Sequence, residues 1–271
     1  MRSITRRPAL ILLATAILTA LAPASAAVAA SSYSAAEVSD AELAVQSLIN
    51  NKRDAAGLVG LKWDSRIAEL AHQRAEYMAA TGIFSHKEAN GDDVFDKIAA
   101  ADIAWYGAGE IIAWNNAEDL DYSAAFAVQA WMNSSGHKAI IMSGSYNYVG
   151  FGMAIGADGK RYWAGVFLKG PDRTAAWTKI TTVATRVIDA DTTKVYLRWD
   201  GNDTRLQVLT SGLRHYEIAR RIDGGEWVSY GTTTSETATR YWDPRWTVEF
   251  RVRARDKAGN WSSWRNVTVN P

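Results

Sequence analysis

The periodicity of the chain changes at Gly170-Pro171, and this change constrains the fold more than any other feature. Before it, apolar residues recur at steps of three and four, most clearly between Ile67 and Met78, which predicts amphipathic helices. After it, short alternating runs are separated by turn signals such as Asp223-Gly224-Gly225, which predicts strands. A chain of 271 residues has room for two ordinary domains. We therefore expect an α+β domain followed by an all-β domain.

The first thirty residues have the pattern of an export signal. Three arginines among the first seven residues precede an apolar run from Ala9 to Leu21, and small residues follow from Pro23 to Ala30. This order is typical of a secretory signal peptide with cleavage near residues 26–30, and the apolar run is too short for a comfortable membrane span. No later segment has the length and apolar character of a span. We therefore predict a secreted, extracellular protein.

The chain contains no cysteine. An exported protein without disulfides depends on core burial alone, which two domains of this size can supply. This composition favours a bacterial origin.

Charge divides unevenly along the sequence. Residues 31–170 carry 11 Lys/Arg against 17 Asp/Glu, a net charge of −6, whereas residues 171–271 carry 16 against 12, a net charge of +4. The basic half could favour an anionic cell-wall polymer. Arginines on the solvated face of a sheet explain this positive charge more simply. Because basic runs with interleaved aromatics are missing, nucleic acid is not an expected partner.

The first helix is expected to follow a loose N-terminus over residues 31–39. Ser39 and Glu42 have the spacing of a capping box, and Gly57 ends the helical pattern. Asp64 then predicts the start of a second helix that ends at Gly82.

His72 lies off the apolar stripe of that second helix, so an exposed side chain is expected. Further along, Gly107-Ala108-Gly109-Glu110 predicts a flexible turn that leads into a buried strand over Ile111–Trp114. A further helix is expected from Ser123 to Trp131, with a break at Ser134–Gly136.

Two strands, Tyr148–Ile155 and Arg161–Leu168, are joined by the turn signal Asp158-Gly159. Helices followed by a small antiparallel sheet indicate helices packed on that sheet. We assign this domain to residues 40–170, with a linker at 171–178.

Residues 179–271 contain about seven short strand-like runs with regular turns. This pattern is typical of a β-sandwich of immunoglobulin or fibronectin type III kind. The predicted strands are Ile180–Ile188, Lys194–Trp199, His215–Ile222, Glu226–Tyr230, Thr237–Trp242, Thr247–Arg255 and Ser263–Val269.

Three residues in the first domain could carry chemistry: His86, Glu110 and His137. Neutral imidazoles and a carboxylate are ligands of zinc-like ions, and the same groups could act as general acid and base. Their separations of 24 and 27 residues are no local metal motif, so folding must assemble any site. By spacing alone, capping of helix ends and turns explains them at least as well.

The first domain resembles a bacterial CAP domain, the SCP-like superfamily of cysteine-rich secretory, antigen 5 and pathogenesis-related proteins. The resemblance implies an α-β-α sandwich with an open cleft lined by two His and two Glu, which bind a divalent metal in some members. His86, Glu110 and His137 match three of those four positions. The matching segments, in the family's order, are 41–57, Leu61-Lys62-Trp63-Asp64, 71–78, Phe84-Ser85-His86, Gly109-Glu110, 131–137 and Tyr148-Val149-Gly150-Phe151-Gly152.

Two positions depart from that family pattern. Ile111 replaces the Asn that usually follows the cleft Glu, and Ser134 stands near the usual position of the second Glu. Glu88, Asp92 and Glu118 are candidate replacements, and the spacing does not choose among them. Three ligands and a water would still suit a weak zinc site.

Three functions follow from these observations. The first is a secreted binding protein whose cleft holds a lipid, small molecule or protein, with the sandwich as spacer or attachment module. The second is a metal-assisted hydrolase or peptidase using His86, Glu110 and His137; the incomplete ligand set and the lack of an evident nucleophile count against it.

The third is an adhesin that binds cell-wall or other glycan through the sandwich. Its aromatic residues could stack on sugars, although packing between strands and turns is the commoner role of such side chains. Trp199 is expected in the sandwich core, and some of the other tryptophans must be exposed. These others are Trp227, Trp242, Trp246, Trp261 and Trp264.

Overall fold

The computed structural model describes residues 33–270; the predicted signal peptide, residues 1–30, lies outside them. The N-terminal part contains helices and a mixed sheet in an α-β-α sandwich, as expected. Its helices are α1 (Ala35–Asp54), α2 (Ser65–Thr81), α3 (Val94–Ala100), α4 (Leu120–Asn133) and α5 (Ser135–Ile141). Its strands are β1 (Lys62–Trp63), β2 (Gly107–Asn115), β3 (Tyr148–Ile155) and β4 (Arg161–Lys169). None of the helices described has the length and apolar character needed to cross a bilayer.

The four strands form one sheet in the order β1-β3-β4-β2, so β2 is an edge strand. Alternate residues of each strand face opposite layers of helix. Ile111 and Phe151 pack with Trp131 in the core under α1 and α4. Ile112 and Val166 pack instead with the residues of α2 and α3. The sheet therefore separates two apolar cores.

The start of α1 differs from the sequence prediction. Ser34, not Ser39, caps the helix, and Glu37 completes the capping box, so residues 35–39 are helical rather than loose. Glu42 has no capping role and is buried. It accepts a hydrogen bond from the Met153 N–H (2.9 Å) and pairs with His72 (3.0 Å). The predicted capping box was wrong because the same spacing occurs five residues earlier.

The other helix boundaries follow the local signals more closely. The Asp64 side chain caps α2, and Gly82 ends it at a φ of 72°, as predicted. The predicted start of α4 at Ser123 was wrong, because Asp119 caps the helix and the Ser123 side chain is buried. The Ser123 hydroxyl donates to Asn115 (2.9 Å) and accepts from the Trp163 indole N–H (3.0 Å).

Residues 107–110 are not a flexible turn. They form the first four residues of β2 and pair with β4, with Gly107 opposite Lys169 and Glu110 opposite Val166. Glycine weakens a strand locally, but a paired partner strand supplies the hydrogen bonds that hold it. Glu110 is thereby fixed on a rigid element.

Helix α2 lies directly on β3 because two glycines leave no side chain between them. A Cβ on Gly150 would come within 2.1 Å of the Ala68 backbone nitrogen, and one on Gly152 within 2.1 Å of the His72 nitrogen. This contact fixes the position of α2 over the sheet.

The C-terminal part consists of two antiparallel sheets. The strands are β5 (Trp177–Asp189), β6 (Thr192–Asn202), β7 (Leu213–Ile222), β8 (Val228–Thr233), β9 (Thr237–Trp242), β10 (Val248–Asp256) and β11 (Arg265–Val269). Their orders are β5-β6-β9 and β11-β10-β7-β8, which is compatible with the predicted fibronectin type III or immunoglobulin-like sandwich. Trp199 is 1% exposed and packs on Tyr216 in the core between the sheets, as expected.

Arginine and tryptophan side chains alternate on the outer face of the four-stranded sheet, and we call this the Arg–Trp stack. Arg251 lies 4.1 Å from the ring centres of both Trp227 and Trp264. Arg253 lies 4.4 Å from Trp264 and 4.0 Å from Trp261. Each guanidinium is thus held between aromatic faces by cation–π attraction. The stack therefore engages two arginines and three tryptophans of this basic half.

The segment between β6 and β7 docks on the N-terminal part. Leu206 is buried in the core of α2 and α3. The Gln207 side chain accepts from the Val59 N–H (2.6 Å), and the Asn147 side chain donates to the Val208 carbonyl (3.3 Å). Arg173, within the predicted linker, pairs with Asp64 at 2.9 Å. These contacts join the helical part to the sandwich.

The close contact of α2 with β3 yields a first prediction. Gly150→Ala should lower the free energy of unfolding by about 1–3 kcal/mol or more, because the new methyl group meets helix backbone that cannot move aside. Urea unfolding of the chain from residue 31 onward measures this. Gly136→Ala is the control, since a Cβ there meets nothing within 4 Å. Equal unfolding midpoints for the two variants would contradict the packing described.

Candidate functional site

Edge strand β2 presents Glu110 on the side of the sheet covered by α2. The neighbouring residues alternate, so Ile111 points into the opposite core and is fully buried. The Asn that Ile111 replaces in the family pattern would therefore face that core here. Glu110 itself has only 4% of its side chain exposed.

A single buried cation neutralises Glu110. Arg74 of α2 has a fully buried side chain, and its Nε donates to Glu110 Oε1 at 2.8 Å. Its two terminal nitrogens donate to Glu88 Oε1 (3.0 Å) and to the Ser85 carbonyl (2.7 Å). Pairing raises the pKa of Arg74 despite the opposing effect of burial. Burying this positive charge without partners would be costly, so the three acceptors are what allow Arg74 to be buried.

The second oxygen of Glu110 orients His86. Glu110 Oε2 lies 2.6 Å from His86 Nδ1, and a carboxylate can only accept at this contact. His86 Nδ1 therefore donates, and in the neutral imidazole Nε2 carries the lone pair. The ring is 54% exposed, so this nitrogen can reach a ligand. A carboxylate behind an imidazole is the arrangement that fixes tautomer and direction in metal and acid–base sites.

His137 lies across from His86 because α4 ends early. Ser134 has extended backbone (φ −91°, ψ 120°), and its side chain makes no cap hydrogen bond, so α5 starts in a new direction. A break was predicted over Ser134–Gly136; it is confined to Ser134, because Ser135 and Gly136 already belong to α5. The break brings the ring centre of His137 to 6.3 Å from that of His86. Burial lowers the pKa of His137, and the neighbouring His86 lowers it further.

A cleft of about 340 Å³ opens beside Glu110 and His86. Its walls are largely apolar, formed by Val94, Phe95, Ile140 and Tyr146 among others. Sequence reasoning missed this wall, although Phe95 lies only two residues after Asp93, the cap of α3. Asp93 also lines the cleft, where its carboxylate caps α3 and pairs with Lys87 at 3.4 Å. Capping signals could have located Asp93, but not its position at the cleft.

The three candidate replacements for the missing second Glu lie in different places. Glu88 shares Arg74 with Glu110 and also pairs with Lys97 at 2.9 Å. Asp92 accepts from the Asn90 side chain within its own loop. The Glu118 backbone carbonyl accepts from the Tyr33 hydroxyl. Among residues 33–270, none of these three carboxylates forms a set of ligand atoms with both imidazoles within 4.8 Å of one another.

The structure brings His86 and Glu110 into direct contact and places His137 opposite them. Among residues 33–270, however, their ligand atoms do not form a set of three within 4.8 Å of one another. Glu110 is already bonded through both oxygens to Arg74 and His86. The two imidazoles are therefore the groups available to a ligand, with Glu110 behind one of them.

A second cleft, also about 340 Å³, lies where β3 meets α1 and α2. It is lined by His72, whose Nδ1 contacts Glu42 (3.0 Å) and whose Nε2 lies 3.4 Å from Glu76. The hydrogen bond to Glu42 raises the pKa of His72. His72 was predicted to be exposed, but its side chain is only 35% exposed and pairs with Glu42. Helix periodicity does not show that Glu42 of another helix lies opposite.

Comparison with known proteins identifies the helical part. Residues 46–167 match the family model described as "CAP: Cysteine-rich secretory protein family", so this part of the chain is a CAP domain. The resemblance inferred from the order of the matching segments is thereby confirmed. His86, Glu110 and His137 all lie within the matched segment.

Two Bacillus subtilis (strain 168) proteins resemble this chain. It is 30% identical over 128 residues to the "Uncharacterized membrane protein YlbC", covering 47% of this chain and 34% of that protein. It is 30% identical over 115 residues to the "Uncharacterized protein YkwD", covering 42% of this chain and 43% of that protein. This chain thus spans less than half the length of these curated relatives.

Solved structures show a similar partial likeness. An extracellular protein containing an SCP domain from Bacillus anthracis str. Ames aligns with a TM-score of 0.43 and 22% identity, covering 48% of this chain and 41% of that one. An outer surface protein from Borrelia burgdorferi aligns with a TM-score of 0.43 and 21% identity, covering 48% of this chain and 93% of that one.

Removing the buried cation should cost more than removing an exposed one. Arg74→Met leaves Glu110 buried without its partner, and we expect a loss of about 3–5 kcal/mol in unfolding free energy. Arg66→Met is the matched control on the same helix, because Arg66 is 46% exposed and pairs with Asp64. Its loss should stay below about 1 kcal/mol. Chemical denaturation compares the two, and equal losses would contradict the role assigned to Arg74.

The pKa of His137 should fall below its ordinary value of about 6.5. The folded state then binds this proton more weakly than the unfolded state does. The contribution of His137 to the free energy of unfolding is therefore complete above that pH and decreases as the pH falls below it. In His86→Gln the pKa of His137 should rise but stay below its ordinary value, because the ring remains partly buried. An NMR titration of the imidazoles, with His72→Gln as control, measures this. An unchanged His137 pKa in His86→Gln would refute the coupling.

Proposed function

We propose that this chain is an exported protein whose CAP domain binds a small ligand in the cleft beside His86, Glu110 and His137. The observation that carries the proposal is the His86–Glu110 hydrogen bond of 2.6 Å, with His137 facing His86. This bond fixes the orientation of His86, and the imidazoles of both His86 and His137 are available to a ligand. The ligand has an apolar body, held against Phe95 and Ile140, and a polar end at the imidazoles. The fibronectin-type sandwich presents or spaces this domain.

The same imidazoles suit a weakly bound divalent metal of zinc type. Neutral imidazole is the form that binds metal, and the lowered pKa of His137 favours that form. Glu110 acts behind His86 rather than as a third ligand, since its oxygens are engaged by Arg74 and His86. A bound ion would supply a Lewis acid for a carbonyl or phosphoryl oxygen. Two protein ligands support binding better than turnover.

The size and lining of the cleft favour a small molecule or an acyl chain over a protein partner. Its volume of about 340 Å³ lies at the lower end of the range for small-molecule sites. Apolar walls with a few convergent polar groups are typical of such sites.

The Arg–Trp stack gives less support to the adhesin alternative. Sugar rings stack on open aromatic faces, whereas Trp264 lies between Arg251 and Arg253 at 4.1 and 4.4 Å. Trp227 and Trp261 are covered in the same way. The stack rigidifies the sheet surface, as a spacer or attachment module requires.

Export rests on the N-terminal pattern of the sequence, and we infer an extracellular location from it. A positive start, an apolar run from Ala9 to Leu21 and small residues up to Ala30 follow one another in the order of a secretory signal peptide. The absence of cysteine fits this inference, because the two domains have cores large enough to dispense with disulfides.

Two titrations of the chain from residue 31 onward test the proposal. Calorimetry with ZnCl₂ should show one weak site that is lost in His86→Ala/His137→Ala. The matched control is His72→Ala/His215→Ala, which also leaves two of the four histidines and should bind as the wild type does.

Fluorescence titration with 11-(dansylamino)undecanoic acid, a chain with a polar end, tests the apolar wall. Ile140→Asp should weaken binding by about tenfold or more, because it places a charge in the apolar cleft. No zinc binding in the wild type would refute the metal site. If the probe bound wild type and Ile140→Asp equally, the ligand would not occupy this cleft.

A further inference from the structure

Three buried carboxylates meet where the sandwich joins the CAP domain. Asp172 follows Gly170-Pro171, Asp203 follows β6, and Asp256 is the last residue of β10. One oxygen from each lies within 4.8 Å of the others. They are 9%, 6% and 0% exposed, respectively. Residues far apart in sequence thus bring three acidic groups to one buried point.

The protein supplies these groups with N–H and O–H donors, but among residues 33–270 none of the three carboxylates has an ion pair within 4.0 Å. Asp172 accepts from Thr174 and Ser211, and Asp256 from the backbone of Gly259 and Asn260. The nearby Arg173 is paired with Asp64 instead. Three carboxylates in a buried site repel one another strongly unless positive charge is present. The donors fix the oxygens without balancing their charge.

One carboxylate oxygen lacks a partner altogether. Asp203 Oδ2 accepts from the Ser211 hydroxyl (3.0 Å) and the Gly212 N–H (2.5 Å), while Oδ1 is buried with no hydrogen-bond partner among the residues described. A buried, unsatisfied oxygen on a carboxylate is costly and calls for an unseen ligand. A cation or a proton would satisfy it.

We propose that Asp172, Asp203 and Asp256 bind a divalent cation of calcium type at the junction of the two domains. Only oxygen donors are present, which hard cations prefer over imidazole or thiolate ligands. Oxygens on opposite sides of a calcium ion lie about 4.8 Å apart, given ligand distances near 2.4 Å. The observed separations fit within that limit.

The position of the site indicates what the ion does. Asp203 starts the segment that docks on the CAP domain through Leu206 and Gln207, and Ser211-Gly212 ends it. An ion at this point therefore holds both ends of the docking segment to β10 and to the segment after Pro171. It stiffens the junction between the domains and is separate from the His86 cleft.

A proton is the competing explanation. Burial raises the pKa of Asp203, and the charges of Asp172 and Asp256 raise it further. A protonated Asp203 would need no ion and would not respond to metal. A bound divalent ion reverses this preference by favouring the ionised carboxylate.

The test uses the chain from residue 31 onward after removal of metals with EDTA. Calorimetry with CaCl₂ should show one site, and calcium at about 100 times its dissociation constant should raise the Tm by roughly 5–10 °C. MgCl₂ should have a smaller effect, because magnesium gives up its water less readily.

Asp203→Asn keeps the shape of the side chain but removes one charge, so the calcium response should be lost. Asp191→Asn is the control, since its side chain is 76% exposed on the same sandwich. His86→Ala/His137→Ala should keep the full response, which separates this site from the cleft. Absence of calcium binding in the wild type, or an equal response in Asp203→Asn, would overturn the proposal. The wild-type titration decides the question even if Asp203→Asn fails to fold.

Discussion

The cleft of this protein depends on one buried guanidinium. Arg74 is fully buried on α2, yet its nitrogens bond to a carboxylate on β2, a carbonyl on the loop after α2 and Glu88 before α3. Strand β2 and the loop between α2 and α3 are thereby held to α2 through one planar group, whose bonds have fixed directions. This pairing places a positive charge against the buried Glu110 carboxylate and so offsets the cost of burying it. His86 in turn takes its orientation from Glu110.

The two domains handle buried charge differently. In the CAP domain, a protein cation balances the carboxylates of Glu110 and Glu88. At the junction, Asp172, Asp203 and Asp256 are held by hydrogen-bond donors, and none of them forms an ion pair within the described residues. The first arrangement is complete in the polypeptide itself. The second has an oxygen left over, and this contrast points to a role for an ion in joining the domains.

The basic and aromatic composition of the sandwich suggests a binding surface, but the arginines and tryptophans of the Arg–Trp stack contact one another instead. Its arginines and tryptophans alternate along β10 and the adjoining segments, with contacts near 4 Å. Each arginine gains cation–π contacts on both sides, and each covered tryptophan loses a face that a sugar could occupy. Two of the arginines that make this half basic are therefore engaged in its own surface.

Local signals in the sequence determined the helix ends at Asp64 and Gly82, the break at Ser134 and the seven strands of the sandwich, because caps, turns and alternation act over a few residues. The order of segments around His86, Glu110 and His137 was enough to indicate the family. The charge relations were decided only by tertiary structure. Nothing local shows that Arg74 reaches Glu110, that Glu42 meets His72, or that three distant aspartates converge. Such pairs depend on how helices and strands pack, and sequence periodicity reports which face is apolar but not which partner lies opposite it.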